Sequence, residues 1–67
     1  MSFGELVGRY GRVTDAIPAG GLRKGEVMID GQAYLALPSD PSEEIPKGMR
    51  VAVVEYEPPR TVVVAPF

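Results

Sequence analysis

Residues 25–37, Gly-Glu-Val-Met-Ile-Asp-Gly-Gln-Ala-Tyr-Leu-Ala-Leu, set two apolar, strand-like runs on either side of one Asp30-Gly31 pair. A two-residue Asp-Gly connection of this kind is a strong hairpin signal. The type I′ turn it forms needs positive φ at both central positions, and its twist matches that of the flanking strands. Counting outward from the turn pairs Ile29 with Gln32, Val27 with Tyr34 and Gly25 with Ala36 on one face. Met28 with Ala33 and Glu26 with Leu35 then share the other. The first set is the expected buried side, which leaves Glu26 and the neighbouring Lys24 pointing to water.

The rest of the chain extends this reading. Eight glycines and seven prolines in 67 residues interrupt any helical pattern, while nine valines favour pleated, half-buried strands. Strands are predicted over 6–17, 23–29, 32–37, 49–56 and 61–65, which makes the chain, residues 1–67, a single all-β domain. Five short strands suggest a small closed β-barrel. Gly11 is expected to bend a long first strand so that it serves both sides of that barrel. Ile17-Pro18-Ala19-Gly20-Gly21 reads as a flexible loop. Pro38-Ser39-Asp40-Pro41-Ser42-Glu43-Glu44 reads as a polar crossing over the surface, and Ile45-Pro46-Lys47-Gly48 as a turn.

A two-residue turn at Pro58-Pro59 would close the last hairpin. It would set Val53 opposite Val64 and Glu55 opposite Val62 on one side, with Val54 opposite Val63 and Tyr56 opposite Thr61 on the other. If Val53 and Val64 point inward, Val54, Tyr56 and Val63 form an outward apolar stripe. Phe3, Leu22 and Phe67 are expected to act as local plugs.

Composition narrows the function classes. A chain this short buries only about 60% of the surface its unfolded form exposes, so its stability margin is thin. Cysteine and histidine are both absent, which excludes a disulfide framework and zinc sites built on thiolate or imidazole. Seven basic and nine acidic residues give a net charge of −2, mixed along the chain. That is no electrostatic footprint for a polyanion or an anionic lipid surface. The longest apolar runs, at 51–54 and 61–65, fall far short of the roughly 20 residues of a membrane-spanning helix. Residues 1–4 lack the basic and apolar segments of a signal peptide.

Chemistry is sparse. Ser2, Ser39 and Ser42 have no histidine partner, and the carboxylates show no pattern of a shared cleft, so no catalytic residue and no cofactor site is assigned. Asp40, Glu43 and Glu44 lack the ligand spacing of a calcium loop and read as a solvated acidic loop. Gly20-Gly21 before Arg23-Lys24 lacks the helix N-terminus that a phosphate cradle needs. Arg9-Tyr10-Gly11-Arg12 carries more weight, because barrels that hold single strands combine basic grooves with stacking aromatics. Three tyrosines, two phenylalanines and an acidic balance make nucleic acid a disfavoured ligand.

In its order of short elements the chain resembles the soluble C-terminal domain of NfeD-like membrane proteins, over nearly its whole length. The residues that carry the likeness are Val7, Gly8, Gly11, Thr14, Asp15, Pro18, Gly25, Val27, Ile29, Gly31, Ala36, Ile45, Gly48, Val51, Val53, Val62 and Val64. The longer loop at 19–22 and the Pro58-Pro59 turn depart from the family pattern. The resemblance implies an OB-like five-stranded barrel that follows membrane helices, here an excised domain. It also implies partners among stomatin or flotillin-type scaffolds, or a membrane protease, with the cytoplasmic side favoured.

The leading expectation is a non-catalytic protein-interaction module whose contact surface is Val54, Tyr56 and Val63, with Arg9 and Arg12 as an adjoining patch. The alternative is a nucleic-acid-binding OB module acting through Tyr10, Arg9 and Arg12. A purely self-associating structural domain is the third reading.

Overall fold

In a computed structural model, which describes residues 6–67, the Asp30-Gly31 reversal forms as expected. Asp30 has φ +51° and Gly31 φ +80°, the pair of positive values that a type I′ turn demands. It joins strand β2 (Gly25–Ile29) to β3 (Gln32–Pro38). All five cross-strand pairs follow the expected register, from Ile29↔Gln32 to Gly25↔Ala36.

The remaining strands are β1 (Tyr10–Asp15), β4 (Arg50–Glu57) and β5 (Thr61–Pro66). They close into a barrel in the order β1-β2-β3-β5-β4, an OB-like architecture with no α-helix among the described residues. Closure depends on two pairings between strands distant in sequence. β3 runs parallel to β5, and β1 pairs with β2 through Arg12, Val13 and Asp15 and with β4 through Tyr10, Gly11 and Arg12.

β1 is therefore shorter than the predicted 6–17 segment. Gly8, at φ +90°, turns the chain before it, and a bulge between Val13 and Asp15 ends its regular ladder. Beyond the bulge Ile17 makes an isolated bridge to Ile45. Gly11 is not the bend. A Cβ there would lie 2.7 Å from the Met28 carbonyl oxygen and 2.7 Å from Ile29 Cγ1, so the glycine is required by the close approach of β1 to β2.

The interior is filled by Val13, Ile17, Val27, Ile29, Ala36, Ile45, Val51, Val53, Val62 and Val64, all buried, with Leu6, Tyr34 and Tyr56 packed against them. Alternation along each strand produces this set. The radius of gyration is 10.4 Å, so a barrel of this size is filled by its own side chains.

The last hairpin differs from the expected register. Its connection is three residues, because Glu57 pairs with Thr61. Tyr56 then faces Val62 and Glu55 faces Val63, while a bulge at Val54 restores Val53↔Val64. The core pair was correctly expected, but three pairings nearer the turn move by one residue. As a result Tyr56 lies on the inner side, half-buried against the core, with its hydroxyl donating to the Pro59 carbonyl at 2.7 Å. Val54 and Val63 remain on the outer side.

Two plugs are also corrected: Leu22 is 96% exposed and Phe67 68% exposed. Phe3 lies outside the described residues.

Gly11→Ala should destabilise the domain by about 1–3 kcal/mol, as overpacking against backbone does. Gly31→Ala should cost about 1–2 kcal/mol through left-handed strain alone. Urea unfolding of both variants checks the two values.

Candidate functional site

A filled barrel leaves the outer surface to carry function. The bulge at Val54 turns that side chain outward, 48% exposed, and Leu35 on β3 is 46% exposed. The registers set Leu37 beside Val63 across β3 and β5 and Leu35 beside Thr61, while on β4 the exposed Glu55 lies opposite Val63 with Val54 in the bulge next to it. A second row continues through Ala65↔Ala52 and Ala52↔Tyr10 onto β1. There Tyr10, 55% exposed, leans on Phe67 with ring centroids 4.6 Å apart. The outcome is an apolar band around four strands of the outer wall.

Polar groups border the band. Lys24 is exposed, as expected, and its ammonium donates to Thr61 Oγ1 at 3.0 Å. Because β3 lies between β2 and β5 in the barrel, the aliphatic stem crosses the outer face of β3. Thr61 is buried at 3% exposure. Glu26 is half-buried on the outer side and accepts from Thr14 Oγ1 at 2.9 Å. Arg60 donates to the Ala33 carbonyl, and its guanidinium carbon lies 5.3 Å from the Tyr34 ring centroid.

The basic residues singled out from the sequence separate. Arg9 is ion-paired with Asp30, with 53% and 65% side-chain exposure respectively. An exposed pair of this kind contributes about 0–1 kcal/mol. Arg12, further along β1, has a weak 3.4 Å hydrogen bond to the Gly48 carbonyl. Arg50 sits directly opposite Arg12. The sequence reading passed over Arg50, because the only signal for it is a pairing across 38 positions that no local pattern encodes.

The acidic loop has a local role. Ser42 donates to Asp40 Oδ1 from its backbone nitrogen at 3.0 Å and from its hydroxyl at 2.7 Å. The hydroxyl bond first, then the backbone bond, holds the Asp40 carboxyl below its ordinary pKa. Among the described residues no three histidine, cysteine, aspartate or glutamate side chains gather as a metal site. Gly20 N donates to the Pro41 carbonyl at 2.7 Å, tying this loop to the glycine loop after β1. Ser2 lies outside the described residues.

Comparison with known proteins now places the chain. The family described as NfeD C-terminal domain matches residues 10–65. The chain belongs to this family. Among solved structures, the soluble domain of the NfeD protein YuaF from Bacillus subtilis is 33% identical, with a TM-score of 0.77, over 92% of this chain and 74% of that one. A soluble domain from Corynebacterium glutamicum, of a membrane protein implicated in regulation of membrane protease activity, is 28% identical with a TM-score of 0.82. That likeness covers 94% of each chain. The C-terminal domain of stomatin operon partner protein 1510-C from Pyrococcus horikoshii shares the fold, with 22% identity and a TM-score of 0.82, over 100% of this chain and 95% of that one. No curated protein sequence matches the chain. Among the described residues of this NfeD domain, no helix is long and apolar enough to cross a membrane.

The Asp40 carboxyl should titrate below the range of a free aspartate, and Ser42→Ala should move it back upward, as read by NMR of the side-chain carbonyl. A depressed folded pKa contributes stability above the unfolded pKa, lost as pH falls through the folded one. In that variant the melting temperature should therefore fall slightly at neutral pH, by little because Asp40 is fully exposed, and the difference should vanish as pH drops through the folded pKa.

Proposed function

We propose that this NfeD domain is a non-catalytic interaction module of a membrane-anchored protein. It helps assemble or regulate a complex with a stomatin or flotillin-type scaffold or a membrane protease, and it contacts the partner through the outer wall of β3, β5 and β4. The observation that carries this reading is the set of outward apolar side chains on adjacent strands, Leu37 beside Val63 with the exposed Leu35 and Val54 near them. Contiguous apolar surface on a small domain marks an interaction site.

Val54 and Val63 are the proposed contact residues. Tyr56 lies on the inner side two residues from the bulge, packed on the core and bonded to Pro59. Two structural relatives, one a stomatin operon partner and one implicated in regulation of membrane protease activity, support a protein as the ligand. A closed barrel offers no free sheet edge for adding a strand of the partner. Recognition therefore falls to outward side chains.

The test is binding of a stomatin-type protein from the same organism to the domain and to Val54→Asp and Leu35→Asp variants. Each variant should lose tenfold or more in affinity, the effect of a buried apolar anchor turned polar. Each should also unfold within about 0.5 kcal/mol of the parent, as substitutions on an exposed surface do. Unchanged affinity in both would remove the proposed face.

A further inference from the structure

Arg12 on β1 and Arg50 on β4 are directly cross-strand partners. The backbone ladder shows which kind of pair they form. Val13 N donates to Met49 O and Val53 N to Arg9 O, both at 2.9 Å, so the Arg12↔Arg50 and Tyr10↔Ala52 positions fall between these bonds. In such non-hydrogen-bonded pairs the Cα atoms approach to about 4.5 Å and the side chains lie close together. Like charges placed so are destabilising.

Among the described residues nothing relieves them. Arg50 has no side-chain hydrogen bond or ion pair, and Arg12 has the weak bond to Gly48 O. Arg9, the third cation nearby in sequence, is already held by Asp30. Both unrelieved arginines line a shallow open depression together with Tyr10, Gly11 and Met28. Phe67 lies next to its lining, its ring tilted against that of Tyr10 and its backbone nitrogen donating to Arg50 O at 3.0 Å. Met28 is 39% exposed.

We propose that this depression is a carboxylate-binding site for an acidic residue of the protein partner, with Arg12 and Arg50 as the two jaws and Tyr10, Met28 and Phe67 as apolar walls. This rests on the reading of the outer wall as a protein contact, with which it is continuous through Tyr10, Ala52 and Ala65. A carboxylate has two oxygens and about four acceptor positions, enough to accept from two guanidinium groups at once. Its charge cancels the repulsion between them. The apolar walls select a carboxylate carried beside an apolar or aromatic side chain. Two cations with no basic track leading away do not suit a nucleic-acid backbone, in a chain whose net charge is −2.

The test is an NMR titration of the labelled domain with a capped Glu-Glu-Phe-Glu-Glu peptide, its Gln counterpart and a thymidine oligonucleotide. The glutamate peptide should shift Tyr10, Arg12, Met28, Arg50 and Phe67, and the glutamine peptide should not. Arg50→Gln should weaken binding about tenfold, the scale of one charge-assisted hydrogen bond, while melting at the same temperature or higher. That combination separates a binding role from a structural one.

Equal response to both peptides, tighter binding of the oligonucleotide, or concentration-dependent shifts at these residues without peptide, which would indicate a second copy, each overturns the proposal. So does no response to the glutamate peptide. If Val54→Asp still loses the stomatin-type protein while the peptide gives no response, the arginine site alone falls. If the peptide binds while Val54→Asp changes nothing, the apolar face falls instead.

Discussion

The structure depends on β1 giving one edge to β2 and the other to β4. Arg12 pairs with both Met28 and Arg50, so a single residue position is the junction at which the sheet becomes a cylinder. Once closed, the ladder leaves no edge in need of protection, and every inward side chain must fill the same narrow interior. That is why the core consists almost entirely of valine, isoleucine and alanine. It is also why Gly11 has no side chain where β1 presses on β2.

The same closure divides structural from functional surface. Inward positions are committed to packing, and a 67-residue domain has a stability of only about 3–10 kcal/mol to divide among them. Chemistry that required a buried polar cluster would consume a large part of that margin. The outer wall carries no such constraint. An exposed Val54 or Leu35 costs little, and a bulge is a cheap means of turning one extra side chain outward without disturbing Val53 and Val51 inside.

What could be read from the sequence was whatever is encoded locally. Asp30-Gly31 dictates its own turn geometry, and the turn fixes every pairing of β2 with β3. At Pro58-Pro59 the same counting failed, because a three-residue connection and a bulge at Val54 are compensating one-residue shifts. The Val53↔Val64 pair came out right and Tyr56 came out on the wrong side. Hydrophobic alternation alone could not reveal this, since Val53-Val54 and Val62-Val63-Val64 are apolar on both faces. Lys24 is exposed as expected, but its bond to Thr61 was not legible, because that acceptor lies two strands away in the barrel. Of the expected basic patch, Arg9 proved to be tied to Asp30 in the β2–β3 hairpin turn. Its replacement beside Arg12, Arg50, depends on the β1–β4 pairing that no short segment specifies.

The arginine pair can be weighed by magnitude. Two unit charges about 6 Å apart repel by roughly 0.7 kcal/mol in bulk water and about 3 kcal/mol at an effective dielectric of 20. Both side chains are exposed, which places the repulsion near the lower figure, and salt reduces it further. So the pair does not threaten the fold. It still opposes folding in a domain where the other ion pair, Arg9 with Asp30, contributes no more than a similar amount. When a carboxylate enters between the jaws, the sign of the interaction reverses while the backbone that holds the arginines stays as it is. The site is thus preorganised by a ladder formed for another reason, barrel closure, and binding there requires no rearrangement of the core.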